Sequence, residues 1–183
     1  MNWKDTATTY GIVSRVLHAV AGILVIGMLA SGIWMVDLDY YSPWYHRAPA
    51  LHKSFGILVG LLFLVRLAWR IRQGFPAPLA GWKRWEQCHS HAVHLALYLI
   101  PLLMIISGYL ISTAEGHPVD VFGVLELPSL LSLGQTQADR AGDVHRWLGW
   151  LLIGLLILHV AGALKHTLVD RDATLRRMFG RPV

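Results

Sequence analysis

The chain has 183 residues, of which 55% are hydrophobic and 15% charged, with a mean hydropathy of +0.48 and a formal net charge of +5. That balance excludes an ordinary soluble domain, in which about a quarter of the residues are charged. A lone cysteine, Cys88, excludes an internal disulfide.

The apolar residues fall into four blocks, at about 11–36, 52–70, 90–111 and 144–168, each near the 20 residues a spanning helix needs. The composition predicts an all-α membrane protein, a single domain over 1–183 built as a four-helix bundle. The first block is longer than a secretory apolar region, and cleavage near Leu29-Ala-Ser-Gly would discard His18, so a retained helix is expected. Between the second and third blocks, Arg70-Ile-Arg-Gln-Gly-Phe-Pro-Ala-Pro cannot continue a helix. The segment 112–142 holds Gly116, Pro118, Gly123, Pro128 and Gly134 and is too polar to span; within it, 119–133 is expected to lie along the interface as short amphipathic pieces. No internal sequence repeat or low-complexity run is evident.

Basic residues are distributed unevenly. The N-terminal end, the 66–86 connection and the C-terminal tail (through Arg181) hold twelve of the sixteen, whereas the other two loops and their flanks hold Arg47, Lys53, Arg140 and Arg146. This bias predicts a multi-pass membrane protein with both termini in the cytoplasm. The positive charge is then an orientation signal and a contact for lipid headgroups, not a nucleic-acid surface. Trp34, Trp44, Trp69, Trp82, Trp85 and Trp147 lie near the expected helix ends, as an interfacial aromatic belt requires.

Against this background four histidines stand out: His18, His52, His145 and His159, all within the apolar blocks. An ionisable ring in hydrocarbon is costly and marks a functional site by default. His145 and His159 are fourteen residues apart, which on a helix returns to nearly the same face about 21 Å further along. The expected topology puts His52 and His145 near the outer surface and His18 and His159 near the inner one. Each depth therefore receives two imidazoles from different helices, as axial ligation of a planar macrocycle requires. The cofactor implied is haem, two per chain, with the four histidines as iron ligands and no open position for oxygen. Without a Cys-x-x-Cys-His sequence the haem is held by coordination and packing. Glycines follow three of the ligands by four residues (Gly22, Gly56 and Gly149), on the same face, where a bulky side chain would meet the porphyrin. Ordinary small-residue helix packing is the competing explanation.

Arg15 and Arg66, in phase with His18 and His52, and Lys53 and Arg146, each next to a ligand, are candidate propionate or anion contacts. Snorkelling to the interface is the plainer role for all four. His94 and His166 are candidates for quinone, proton or propionate contacts. His46, His89, His91 and His117 are expected in solvated or structural positions.

This constellation resembles the bacterial cytochrome b561 family, four-helix dihaem proteins of the inner membrane. The resemblance covers nearly the whole chain, including the Ser90-His-Ala-Val-His-Leu opening of the third helix, Tyr98, Pro101 and the Lys165-His-Thr-Leu-Val-Asp-Arg-Asp tail. It implies an oxidoreductase that takes an electron from superoxide and reduces ubiquinone, in the setting of the respiratory chain. A second function class is a cytochrome b anchor subunit serving a partner dehydrogenase or hydrogenase, with a soluble redox partner. A third is a histidine-based metal or proton channel without pigment.

Overall fold

A computed structural model of the chain describes residues 2–74, 77, 79, 81–131 and 134–180. Phe75, Pro76 and Pro78 of the breaker stretch, Ser132 and Leu133 of the outer segment, and Arg181 of the tail lie outside the described residues.

Four long helices carry the four apolar blocks: α1 (Ile12–Val36), α2 (Arg47–Gln73), α3 (Arg84–Thr113) and α4 (Gln135–Leu168), followed by a short α5 (Thr174–Met178). All four are long and apolar enough to cross a membrane. They outrun the apolar blocks because polar flanks continue the helical ladder beyond the hydrocarbon. The 34 residues of α4 reach about 51 Å, against a hydrocarbon core of about 30 Å. Pro101 sits inside α3, where it withholds one amide from the helical ladder.

Packing is thin at the centre and apolar on the outside. A small core of Ala21, Val25, Val59, Phe63, Ile100 and Leu152 joins the four helices. Outward-facing side chains such as Ile23 (71% exposed), Leu95 (68%) and Ile157 (66%) cover the helices. Apolar surface on this scale is incompatible with water and fits lipid tails.

The two ends of the bundle differ. At one end the termini and the α2–α3 connection meet. The carbonyls of Asn2 and Trp3 accept from the amides of Ile12 and Val13, satisfying donors that the first turn of α1 leaves free. Gly11 permits this fold-back, since a Cβ there would collide with the backbone of Trp3 and Lys4. Arg70 pairs with Asp5, and Lys165 of α4 pairs with Glu86 of α3 and with Asp170.

At the other end the 112–142 segment includes an antiparallel hairpin, β1 (Val119–Val121) and β2 (Leu125–Leu127), whose first strand alternates buried and exposed residues. Its turn places Phe122 and Gly123 at positive φ (56° and 69°). Two contacts to α2 hold Phe122 in that strained conformation. Its amide donates to Ser54 Oγ at 3.1 Å, and its ring meets Phe55 edge-on at 5.1 Å.

Candidate functional site

At the hairpin end, His52 of α2 and His145 of α4 face each other with ring centroids 6.4 Å apart. Each ring is fixed by a serine on the neighbouring helix. His52 Nδ1 lies 2.9 Å from Ser31 Oγ, and the Ser31 hydroxyl donates to the Met28 carbonyl at 3.0 Å. With its hydrogen spent on Met28, Ser31 Oγ accepts, so His52 Nδ1 is the donor. His145 Nδ1 lies 2.9 Å from Ser107 Oγ and 3.0 Å from the Met104 carbonyl, and the Ser107 hydroxyl likewise donates to Met104. A carbonyl only accepts, so His145 Nδ1 also carries its hydrogen. In both rings Nε2 is left as the bare nitrogen. Nothing in the apolar pattern singles out Ser31 or Ser107; the signal for them is the order Met-x-x-Ser-Gly, present in both helices.

The two rings line a cavity of about 470 Å³ together with Lys53, Gly56, Gly108, Pro101 and Tyr109. That volume and its largely apolar lining match a site for a small organic molecule, for which about 300–1,000 Å³ is usual. Gly56 and Gly149 meet the ends of the Met28 and Met104 side chains, which would lie 3.6 and 3.7 Å from a Cβ at those positions, while a Cβ at Gly22 would meet open space.

At the termini end, His18 of α1 and His159 of α4 have ring centroids 6.0 Å apart. Arg66 stands beside them, its Nη2 2.9 Å from His18 Nδ1 and its guanidinium 5.0 Å from the centre of the Tyr98 ring. His94 of α3 comes closer to His159, at 5.2 Å between centroids, with its Nδ1 3.2 Å from Ser90 Oγ.

The remaining sequence candidates are more dispersed. Arg15 lies against Gly180 under the C-terminal tail. Lys53 lines the histidine cavity, whereas Arg146 lines a separate cavity of about 520 Å³ and pairs with Asp143 at 2.8 Å. His166 stacks on Trp82 (4.3 Å, 15°) and its Nδ1 is 2.9 Å from carboxylate oxygens of Asp170 and Asp172. His89 and His91 bond the Trp85 and Gln87 carbonyls of their own helix, His46 packs on Tyr45, and His117 lines the same cavity as Arg146.

The geometry can be tested against haem. Metal–imidazole bonds of about 2 Å on either side of an iron, plus about 1 Å from ring centre to nitrogen, put two axial imidazoles roughly 6 Å apart. Separations of 6.4 and 6.0 Å meet that requirement, and the 5.2 Å between His94 and His159 is too short for it. At the hairpin end, two imidazoles with bare Nε2 atoms beside a largely apolar cavity also suit a b-type haem, whereas at the termini end the Arg66 guanidinium donates to His18 Nδ1 and the fit rests on the ring separation.

A four-helix membrane bundle that presents facing imidazoles at two levels has the architecture of a helical membrane cytochrome. The family model described as prokaryotic cytochrome b561 matches residues 9–181, and the chain belongs to that family. It is 45% identical over 181 residues to cytochrome b561 homolog 2 of Escherichia coli (strain K12), covering 99% of this chain and 96% of the relative. It is 27% identical to the probable superoxide oxidase CybB of Yersinia pestis, over 76% of this chain and 77% of that protein. Cytochrome b561 homolog 1 of Escherichia coli (strain K12) is 26% identical, over 71% and 73% of the two chains. Membership makes the chain a multi-pass bacterial membrane protein that carries b-type haem and moves electrons across the membrane.

Proposed function

We propose that the protein binds two haems b, one between His52 and His145 and one between His18 and His159, and passes single electrons between them. The observation that carries the proposal is the pair of facing imidazoles at each end, 6.4 and 6.0 Å between centroids, linked by the fourteen-residue interval along α4. His52 and His145, and His18 and His159, would hold the haems, which when bound would supply one-electron redox chemistry. The chain's own part is to hold the rings in register and to keep water from the cavity with Val25, Leu29, Ile57 and Leu152.

The twelve-to-four bias of basic residues supports a cytoplasmic location for the termini end and a periplasmic one for the hairpin end. In that orientation His52 and His145 would hold the haem on the donor side, and His18 and His159 the haem on the acceptor side. Superoxide as donor and ubiquinone as acceptor are supported by the family resemblance, and superoxide also by the name of the Yersinia relative, a probable superoxide oxidase. For a small anion, Lys53 is the useful cation, because it lines the cavity while the charge of Arg146 is matched by Asp143. Arg66, hydrogen-bonded to His18, is the basic group within reach of the inner site, and His94 is the proton-carrying group next to His159.

The test is superoxide-dependent reduction of a ubiquinone analogue by the purified, haem-loaded protein. Quinone reduction that requires superoxide and weakens in Lys53→Gln supports the assignment. Haem reduction by quinol alone, with no response to superoxide, overturns the donor. Stoichiometric co-purification of a soluble dehydrogenase would instead assign an anchor role.

A further inference from the structure

Although the chain carries no large internal duplication, one short sequence recurs. Met-x-x-Ser-Gly occurs as Met28–Gly32 on α1 and as Met104–Gly108 on α3. Five residues are too few to register as a repeat, but the structure gives both copies the same work. Each serine hydroxyl donates to the carbonyl of its own methionine, three residues earlier, at 3.0 and 2.9 Å. Each Oγ then lies 2.9 Å from the Nδ1 of a histidine on the following helix, Ser31 on His52 and Ser107 on His145. Each glycine lets that ring come close: a Cβ at Gly32 or Gly108 would stand 3.3 Å from the Cε1 of its histidine. Each methionine side chain ends against the glycine four residues after the histidine, Gly56 or Gly149.

We infer that Ser31 and Ser107 are positioning residues for the haem at the hairpin end, each fixing a histidine that would hold it by accepting the ring's Nδ1–H, which leaves Nε2 free to bind iron. The inference rests on the assignment of His52 and His145 as ligands. With the serine hydrogen on the helix carbonyl, the oxygen accepts from Nδ1. That fixes the tautomer as well as the ring angle, and a hydrogen-bonded imidazole is a stronger donor to a metal. The two sides are not equal. His145 has a second acceptor in the Met104 carbonyl at 3.0 Å, whereas Ser31 is the partner that holds His52.

The experiment compares Ser31→Ala, Ser107→Ala, Ser31→Thr and Ser107→Thr as full-length, haem-loaded protein, reading haem transfer to apomyoglobin and the low-spin electron paramagnetic resonance signals. Loss of an outer-sphere partner typically weakens metal binding by about 10–100-fold. Ser31→Ala is expected to accelerate one of two haem-loss phases about tenfold and shift one low-spin signal. Ser107→Ala does so to a smaller degree, and both threonine variants, which keep the hydroxyl, return to wild-type behaviour. Alanine variants with unchanged haem loss and unchanged signals overturn the inference, as do threonine variants as defective as alanine. If Ser31→Ala fails to fold, the Ser107 pair and Ser31→Thr still decide. His52→Ala and His145→Ala in the same assay separate the two claims. Retention of two haems by either defeats the ligand assignment, whereas loss of one with silent serine variants defeats the positioning role alone.

Discussion

The imidazole of His18 faces that of His159 across 6.0 Å, close to the separation of two ligands on one iron. His94 approaches the same ring to 5.2 Å, leaving no room for a metal between them. His94→Ala is therefore expected to keep both haems, and His18→Ala to lose one. A pyridine haemochrome assay per mole of chain checks both, and loss of a haem from His94→Ala would make His94 the ligand in place of His18.

Gly32 and Gly108 are expected to be intolerant of even a methyl group. A Cβ at either would stand 3.3 Å from a histidine Cε1, tighter than ordinary packing, and the neighbouring ring atom, Nδ1, is bonded to the serine that precedes the glycine. Gly32→Ala or Gly108→Ala should displace the ring and broaden or shift the reduced α-band. Gly27→Ala, where a Cβ meets nothing within 4 Å, is the control and should leave the spectrum unchanged.

Arg177 is 8% exposed and ties three parts of the chain together. It donates to the carbonyls of Thr8 at 2.7 Å, Ala77 at 2.9 Å and Ala7 at 3.3 Å. Hydrogen bonds to a charged group contribute about 1.5–3 kcal/mol each, so Arg177→Ala should cost about 3 kcal/mol after relaxation. Thermal unfolding in detergent should show it as a lower Tm. Lysine should not restore the Tm, because one ammonium cannot reproduce the guanidinium fork.

The carboxylate of Asp172 lies outside the spanning segments, accepting from Trp82 Nε1 at 2.9 Å and from the Thr174 amide at 2.8 Å, with His166 Nδ1 2.9 Å away. Burial pushes its pKa up, but the hydrogen bonds from Thr174 and Trp82 and the nearby His166 outweigh it and hold the group below its ordinary 3.8. A depressed carboxyl stabilises the fold above its unfolded value and loses that contribution as the pH falls through the folded value. Asp172→Asn should thus be less stable than wild type at pH 7, and the gap should close as the pH drops below about 4. Limited proteolysis of the tail at the two pH values measures it.

Much of this molecule is written in patterns that survive without tertiary information. Long apolar blocks mark α1 to α4, and four histidines inside them stand out because hydrocarbon makes each one costly. The helix ends are less legible. α4 begins at Gln135, nine residues before the apolar block at Val144, because a helix does not need apolar residues once it leaves the bilayer. The hairpin at Val119–Leu127 depends on Ser54 and Phe55, about 65 residues earlier, which no local pattern reveals. Ser31 and Ser107 look like ordinary small residues for helix packing until the structure sets a histidine nitrogen 2.9 Å from each hydroxyl. Arg15 and Arg146, in phase with or adjacent to the candidate ligands His18 and His145, are engaged by Gly180 and Asp143, contacts that come from the tail and from a neighbouring turn of helix.

The assignment of two haems b to two facing imidazole pairs is tested most directly by haem quantified per chain, with a reduced-minus-oxidised spectrum, in wild type, His52→Ala and His145→Ala. Two low-spin haems in the wild type and one in each variant, the same one in both, are expected. Two haems retained in either variant, or different haems lost from the two, would contradict the pairing.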